Sequence, residues 1–300
     1  MTIKQLNADY GIADKVEIVA GQGDFPVIKV NNEHAKATIS VYAAQVLSFQ
    51  PQDQTQDIMF LSNKAYYKDG KAMKGGTPIC WPWFGPDPED KGRSSHGFVR
   101  NRMWNIREIT STQDGATKVI LGLTDTPETR AIWDFAFDFA IAITVGKSLN
   151  IELITRNTGD KPFTITQALH TYFKVGDINQ VQVLGLAGNK YIDKVDSGSE
   201  KNQSGDISFD GECDRIYLNV NPEITIDDGA LGRKIKVTST NSKTAIVWNP
   251  WAAISVNMAD LEDNDYQNFV CVETANAANE IIEVAASSEY KLAANYAVSS

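Results

Sequence analysis

Large apolar side chains alternate with small or polar ones along much of this chain. Phe135, Phe137, Phe139, Ile141, Ile143 and Val145 hold odd positions, with Ala136, Asp138, Ala140, Ala142 and Thr144 between them. A period of two sends successive side chains to opposite faces, so this stretch predicts a β-strand with one large apolar face. Gly146-Lys147-Ser148 interrupts it, and Leu149, Ile151 and Leu153 then alternate with Asn150 and Glu152. The pair reads as an antiparallel hairpin packing one face on a core. Comparable runs occur at Val16–Val19, Val27–Val30, Thr38–Tyr42, Val119–Leu123, Ile224–Ile226 and Lys234–Thr238. Turn clusters such as Gln113-Asp114-Gly115 and Asp227-Asp228-Gly229 separate several of them. Helical periodicity is scarce, with a turn or two expected between Met258 and Phe269. The pattern predicts an all-β fold of long antiparallel sheets packed face to face. With no repeat, low-complexity tract or dividing linker, residues 1–300 are expected to form a single domain.

Two stretches break the alternation. Lys74 to Asp90 carries Gly75, Gly76, Pro78, Pro82, Gly85, Pro86 and Pro88 around Trp81, Trp83 and Phe84. Such a density of glycine and proline cannot sustain a central strand and reads as a rigid aromatic loop. Ser94-Ser95-His96-Gly97-Phe98-Val99-Arg100-Asn101-Arg102 follows it. Loops on a stiff scaffold are where sites tend to be built.

Two apolar runs include a histidine and a glutamate, His170 and Glu273: Ala168-Leu169-His170-Thr171-Tyr172-Phe173 and Val270-Cys271-Val272-Glu273-Thr274-Ala275-Asn276. Burying such groups costs free energy unless they are hydrogen-bonded or paired. An imidazole and a carboxylate brought together make a general acid and a general base. The plainer alternative is a hydrogen-bonded core histidine and an arginine-paired glutamate. Alternation places Tyr172 on the face of His170, with Leu169, Thr171 and Phe173 on the other.

Charge changes the picture of the partner. With 28 Lys and Arg against 38 Asp and Glu, the net charge is −10, and no basic run is present. Nucleic-acid binding is therefore disfavoured, since a phosphate backbone wants a basic face. Lys74, Arg93, Arg100 and Arg102 nevertheless flank the two loops, where they could cradle one small anion. No P-loop pattern accompanies them, which argues against nucleotide hydrolysis. Trp81, Trp83, Trp104, Trp248 and Trp251 could be sugar platforms or core residues. Asp214-Arg215 could bind ring hydroxyls or pair with each other. No long apolar run predicts a membrane helix, and the N-terminus lacks a secretory pattern, so a cytoplasmic monomer is expected. Cys80, Cys213 and Cys271 show neither metal-ligand spacing nor a disulfide framework.

The segments Lys74–Pro86, Ser95–Asn101, Ala168–Phe173, Cys213–Tyr217, Trp248-Asn249-Pro250-Trp251 and Cys271-Val272-Glu273 together resemble the hexose-6-phosphate mutarotases of the aldose 1-epimerase family. That resemblance implies a galactose-mutarotase-like β-supersandwich acting on a small sugar phosphate, with no metal or other cofactor. It implies that His170 is the acid at the ring oxygen and Glu273 the base at the anomeric hydroxyl. His96 and Asp214 would bind sugar hydroxyls, and Arg100 and Lys74 would meet the 6-phosphate. Lys74 stands where relatives often carry arginine, and a lysine that often follows the Trp-Asn-Pro-Trp motif is replaced by Ala252-Ala253-Ile254-Ser255; Arg93 or Arg102 could substitute. His170 is expected to start protonated and Glu273 ionised. Competing readings are a mutarotase for unphosphorylated aldoses and a non-catalytic sugar-binding protein. A glycosidase fits less well, because it usually needs two carboxylates.

Overall fold

In the computed structural model, which describes residues 1–299, the expected strands form and pair antiparallel throughout. Phe137–Val145 and Leu149–Asn157 make the hairpin around Gly146-Lys147-Ser148, with Ile141 opposite Leu153 and Ile143 opposite Ile151. They lie in an eight-stranded sheet of order Val181–Leu184, Glu223–Asp228, Arg233–Thr240, Glu289–Ser299, Leu149–Asn157, Phe137–Val145, Thr117–Thr124, Asn105–Ser111. A second sheet runs Ser199–Asn202, Lys190–Asp193, Cys213–Leu218, Thr244–Asn249, Phe269–Asn276, Gln167–Leu169, Ile79–Cys80, with Tyr172–Lys174 also pairing to Phe269–Asn276. The N-terminal strands Val16–Ala20, Pro26–Asn31, Ala35–Ser40 and Val46–Pro51 make a smaller sheet.

One buried apolar cluster runs through these three sheets, from Leu6 to Tyr296. Trp81 joins the glycine- and proline-rich loop to this core. Its ring stacks on Phe139 at 4.4 Å, and its Nε1 donates to Thr155 Oγ1 at 3.0 Å. The loop is therefore anchored by an aromatic group whose polar end is satisfied inside the core. Buried polar side chains hold the second sheet in register: Gln167 Nε2 donates to Asn276 Oδ1, while Ser242 Oγ and Thr244 Oγ1 both donate to Ala275 O.

Helices are few and short. Ile3–Tyr10 is capped by Thr2, whose Oγ1 accepts from Gln5 N, and Pro127–Ile132 by a reciprocal Thr126–Thr129 box. The helical turns expected between Met258 and Phe269 reduce to one 3-10 turn, Asp265–Asn268. The α-helical turns lie earlier, at Trp251–Ser255. No helix of the described residues is long and apolar enough to cross a membrane.

Candidate active site

Adjacent strands of the second sheet present one continuous face. Antiparallel register sets Asp214 beside Trp248 and Trp248 beside Cys271, with Ile216 beside Ile246 and Ile246 beside Glu273. Beyond Phe269–Asn276 the next strand breaks for two residues: Leu169 pairs with Thr274, and Tyr172 with Cys271. The count across the break is unbroken, so His170 stands opposite Glu273. In the break, His170 N donates to Pro78 O and Tyr172 N to Gly76 O, so the Lys74–Pro78 loop takes the place of a strand there. His170 thus leaves the strand expected for it, yet keeps the expected face: its ring stacks on Tyr172 at 5.0 Å. Thr171 and Phe173 meet Tyr296 on the other side.

The result is a cavity of about 310 Å³ lined by Glu273, His170, His96, Asp214, Trp248 and Phe84, among others. His170 Nδ1 lies 3.3 Å from Glu273 Oε1, and neither His170 Nδ1 nor Glu273 Oε2 has a protein hydrogen-bond partner. The Glu273 side chain is 1 % exposed and the His170 side chain 13 %. Burial pushes Glu273 well above the usual carboxylate range, and nearby Asp214 pushes the same way. Burial likewise pushes His170 well below the usual imidazole range, helped by His96, Arg100 and Lys74. Desolvation thus opposes the expected charged pair and favours the neutral distribution of its proton.

His96 reaches the cavity from a loop that only an unusual backbone permits. His96 itself has φ +64°, and Gly97 has φ +75°. A Cβ at Gly97 would sit 1.8 Å from Trp81 O, so the chain can pass there only as glycine. His96 N donates to Gly85 O at 2.7 Å, and Gly85 N donates to His96 Nδ1 at 3.3 Å. With Nδ1 accepting, neutral His96 carries its proton on Nε2. Burial, with Arg100 and Lys74 close by, brings its pKa down to about 3, so it stays a neutral donor. Asp214 is pushed up to about 6, chiefly by burial, with Lys194 opposing.

Of the four cations that flank the loops, two line the cavity: Lys74 and Arg100. Lys74 Nζ stands 3.5 Å from Asp260 Oδ2. Arg93 is instead clamped by Asp87 and Glu89 over the Trp83 ring, and Arg102 Nη2 contacts Glu128 at 3.3 Å. Neither substitutes for a missing cation. Lys194 does line the cavity, and the sequence reading missed it. It follows the strand Lys190–Asp193 as an ordinary exposed lysine, and only its backbone bond to Asp214 O brings it here. Among the tryptophans, Trp248 lines the cavity, whereas Trp81, Trp83 and Trp104 are buried and Trp251 packs on Tyr266. Arg215 turns away to Gln203 and the Tyr191 ring. A larger groove of about 660 Å³ on the N-terminal sheet, lined by Phe25, Lys29 and Tyr67, holds no paired acid and base.

A buried imidazole–carboxylate pair at the floor of a cavity with cations around it can move protons on a small anionic ligand. Comparison with known proteins gives this geometry its context. Residues 26–297 match the family described as aldose 1-epimerase. The chain belongs to that family. This epimerase is 38% identical over 256 residues to an Escherichia coli (strain K12) protein provisionally named a glucose-6-phosphate 1-epimerase, covering 85% of this chain and 84% of the other. A plant protein of the same provisional name, from Cenchrus ciliaris, is 37% identical over 80% of this chain and 74% of its own length. A crystal structure provisionally titled a mutarotase, from Salmonella typhimurium, superposes with a TM-score of 0.89 at 34% identity, covering 97% and 95% of the two chains. A galactose mutarotase related enzyme from Lactobacillus acidophilus shares the fold at 15% identity, with a TM-score of 0.74 over 91% of this chain and 97% of the other. The architecture is therefore the galactose-mutarotase-like β-sandwich, and the epimerase is an isomerase that interconverts the anomers of an aldose.

Proposed function

We propose that this epimerase interconverts the α and β anomers of an aldohexose 6-phosphate, glucose 6-phosphate first among them, with His170 and Glu273 moving the protons. The observation that carries the proposal is the 3.3 Å approach of Nδ1 to Oε1 on one sheet face, in a cavity that Lys74, Arg100 and Lys194 also line. A hemiacetal bears its hydroxyl and its ring oxygen on one carbon, so the groups that serve them must be neighbours. The cations supply charge for a phosphate ester. The names of the relatives point to the same substrate.

In the cyclic sugar, ionised Glu273 takes the O1 proton while protonated His170 gives one to O5. The C1–O5 bond opens to the aldehyde, leaving Glu273 protonated and His170 neutral. That is the distribution burial favours, so desolvation lowers the energy of the open-chain complex relative to the closed one. Rotation about C1–C2 turns the other carbonyl face to O5, and the reverse transfers close the ring. The pair ends with the proton count it began with. His96, donating through Nε2, and Asp214 hold ring hydroxyls, and Trp248 covers an apolar sugar face. Positioned proton transfer contributes about 10²–10⁴-fold per group.

Magnetisation-exchange NMR on the anomeric protons tests this directly. Faster exchange for glucose 6-phosphate than for glucose is expected. Equal acceleration of glucose would remove the phosphate from the reading, and binding without exchange would remove the catalytic pair.

A further inference from the structure

Lys74 faces the cavity with a carboxylate already at its ammonium. Asp260 Oδ2 lies 3.5 Å from Lys74 Nζ, and the two side chains are only 21 % and 17 % exposed. The position of Asp260 is built rather than incidental. Its neighbour Leu261 is buried with Phe60, Tyr172, Phe269 and Cys271, and Met258, two residues before it, lines the cavity. Lys74 is fixed from its own side. Its carbonyl accepts from Ser62 N, and Gly76, two residues on, donates to Phe60 O. At Gly76 a Cβ would come within 2.2 Å of Val46 O. Both partners of the ion pair therefore hang from one packed unit.

Resting on the phosphate-ester reading above, we propose that Asp260 is a tethered competitor for the anion subsite, holding the Lys74 ammonium until a phosphate displaces it and reclaiming it when the product leaves. An ammonium is a point charge with three rotatable donors, so it can be shared or surrendered by a small swing, unlike a bidentate guanidinium fork. The carboxylate also repels an incoming dianion, which raises KM and speeds release. For an isomerase whose substrate and product carry the same phosphate, fast release has direct value: each turnover must free an anion as strongly charged as the one it captured. Asp260 is in this account a residue that sets affinity, acting through Lys74, and it touches no reacting atom.

The test is Asp260→Asn, which keeps size and hydrogen-bonding shape while removing the charge. The expected result is a fall in KM for glucose 6-phosphate of about fivefold, the scale of one partly screened charge pair, with the change on KM rather than kcat. The Kd of inorganic sulfate, measured by calorimetry without turnover, should fall by the same factor. In a Lys74→Met background the Asp260→Asn effect should shrink to that of direct repulsion alone, below about twofold. A KM or sulfate Kd that rises or stays put in Asp260→Asn overturns the proposal, because Asp260 would then be orienting Lys74 or doing nothing. A wild-type protein that fails to accelerate glucose 6-phosphate would instead remove the substrate reading, and the sulfate measurement would still decide the role of Asp260.

Discussion

Replacing Glu273 by Gln should sharply reduce turnover and, at neutral pH, make the protein more stable. The side chain is 1 % exposed, its Oε2 has no protein partner, and His170 Nδ1 stands 3.3 Å from its Oε1. Burial raises its folded pKa well above the unfolded value of 4.5. A raised pKa gives stability that is full below the unfolded pKa and is lost as pH rises toward the folded one. Across that window the folded state holds one proton more than the unfolded state, so unfolding gains about 1.4 kcal/mol per pH unit. The count is the same whether the proton sits on Glu273 or on His170, which makes the slope independent of how the pair shares it. Gln cannot ionise, so the variant escapes the slope. Measurements above pH 6.5 avoid the separate penalty of neutral His170, which applies below that value. For a chain of 300 residues, about 1.4 kcal/mol corresponds to roughly 2–4 °C in Tm. Thermal unfolding of both proteins between pH 6.5 and 8 should therefore show Glu273→Gln pulling ahead with each step of pH. Turnover by anomeric exchange should fall by about 10²–10⁴, or roughly 3–5 kcal/mol of barrier. Parallel stability curves would refute the buried, proton-holding carboxylate; a turnover loss below tenfold would refute its role as base.

Turnover of the wild type should follow a broad bell in pH, falling on the acid side when the pair takes a second proton and on the alkaline side when it loses its last. Burial moves both edges outward, down for His170 and up for Glu273, so a narrow optimum would count against the coupled pair. Lys194→Met should raise KM for the phosphate ester about tenfold with little change in kcat, while Arg102→Met, held away by Glu128, should leave KM within twofold; equal effects would misplace the anion subsite. Gly97→Ala should lower Tm by several degrees, about 2 kcal/mol or more, because its Cβ meets a backbone carbonyl, and it should cut activity through His96. A wild-type Tm there would mean that the loop is free to move.

The strands were legible because their alternation is strong: Phe137–Val145 and Leu149–Asn157 stand where the odd-numbered apolar residues put them. The short helices were not, since Ile3–Tyr10 buries only Leu6 and its stop and start rest on caps rather than on an apolar stripe. At the site, the residues carried by motifs (His170, Glu273, His96, Asp214, Lys74 and Arg100) all reach one cavity. The cations misjudged, Arg93 and Arg102, have acidic partners that no spacing rule pairs with them. Lys194 was invisible for the opposite reason: a lysine beyond a strand end looks like solvent-facing charge until the sheet is assembled.

The two-residue break at His170 leaves a usable signal in the backbone. The amides of His170 and Tyr172 donate to carbonyls of the loop that carries Lys74. Their hydrogen-exchange rates therefore report whether that loop is docked, while the amides of Phe269–Asn276 report the sheet. A ligand that pulls on Lys74 would be read as a change confined to those two positions, so occupancy at the anion end of the cavity can be followed, residue by residue, at its proton-transfer end.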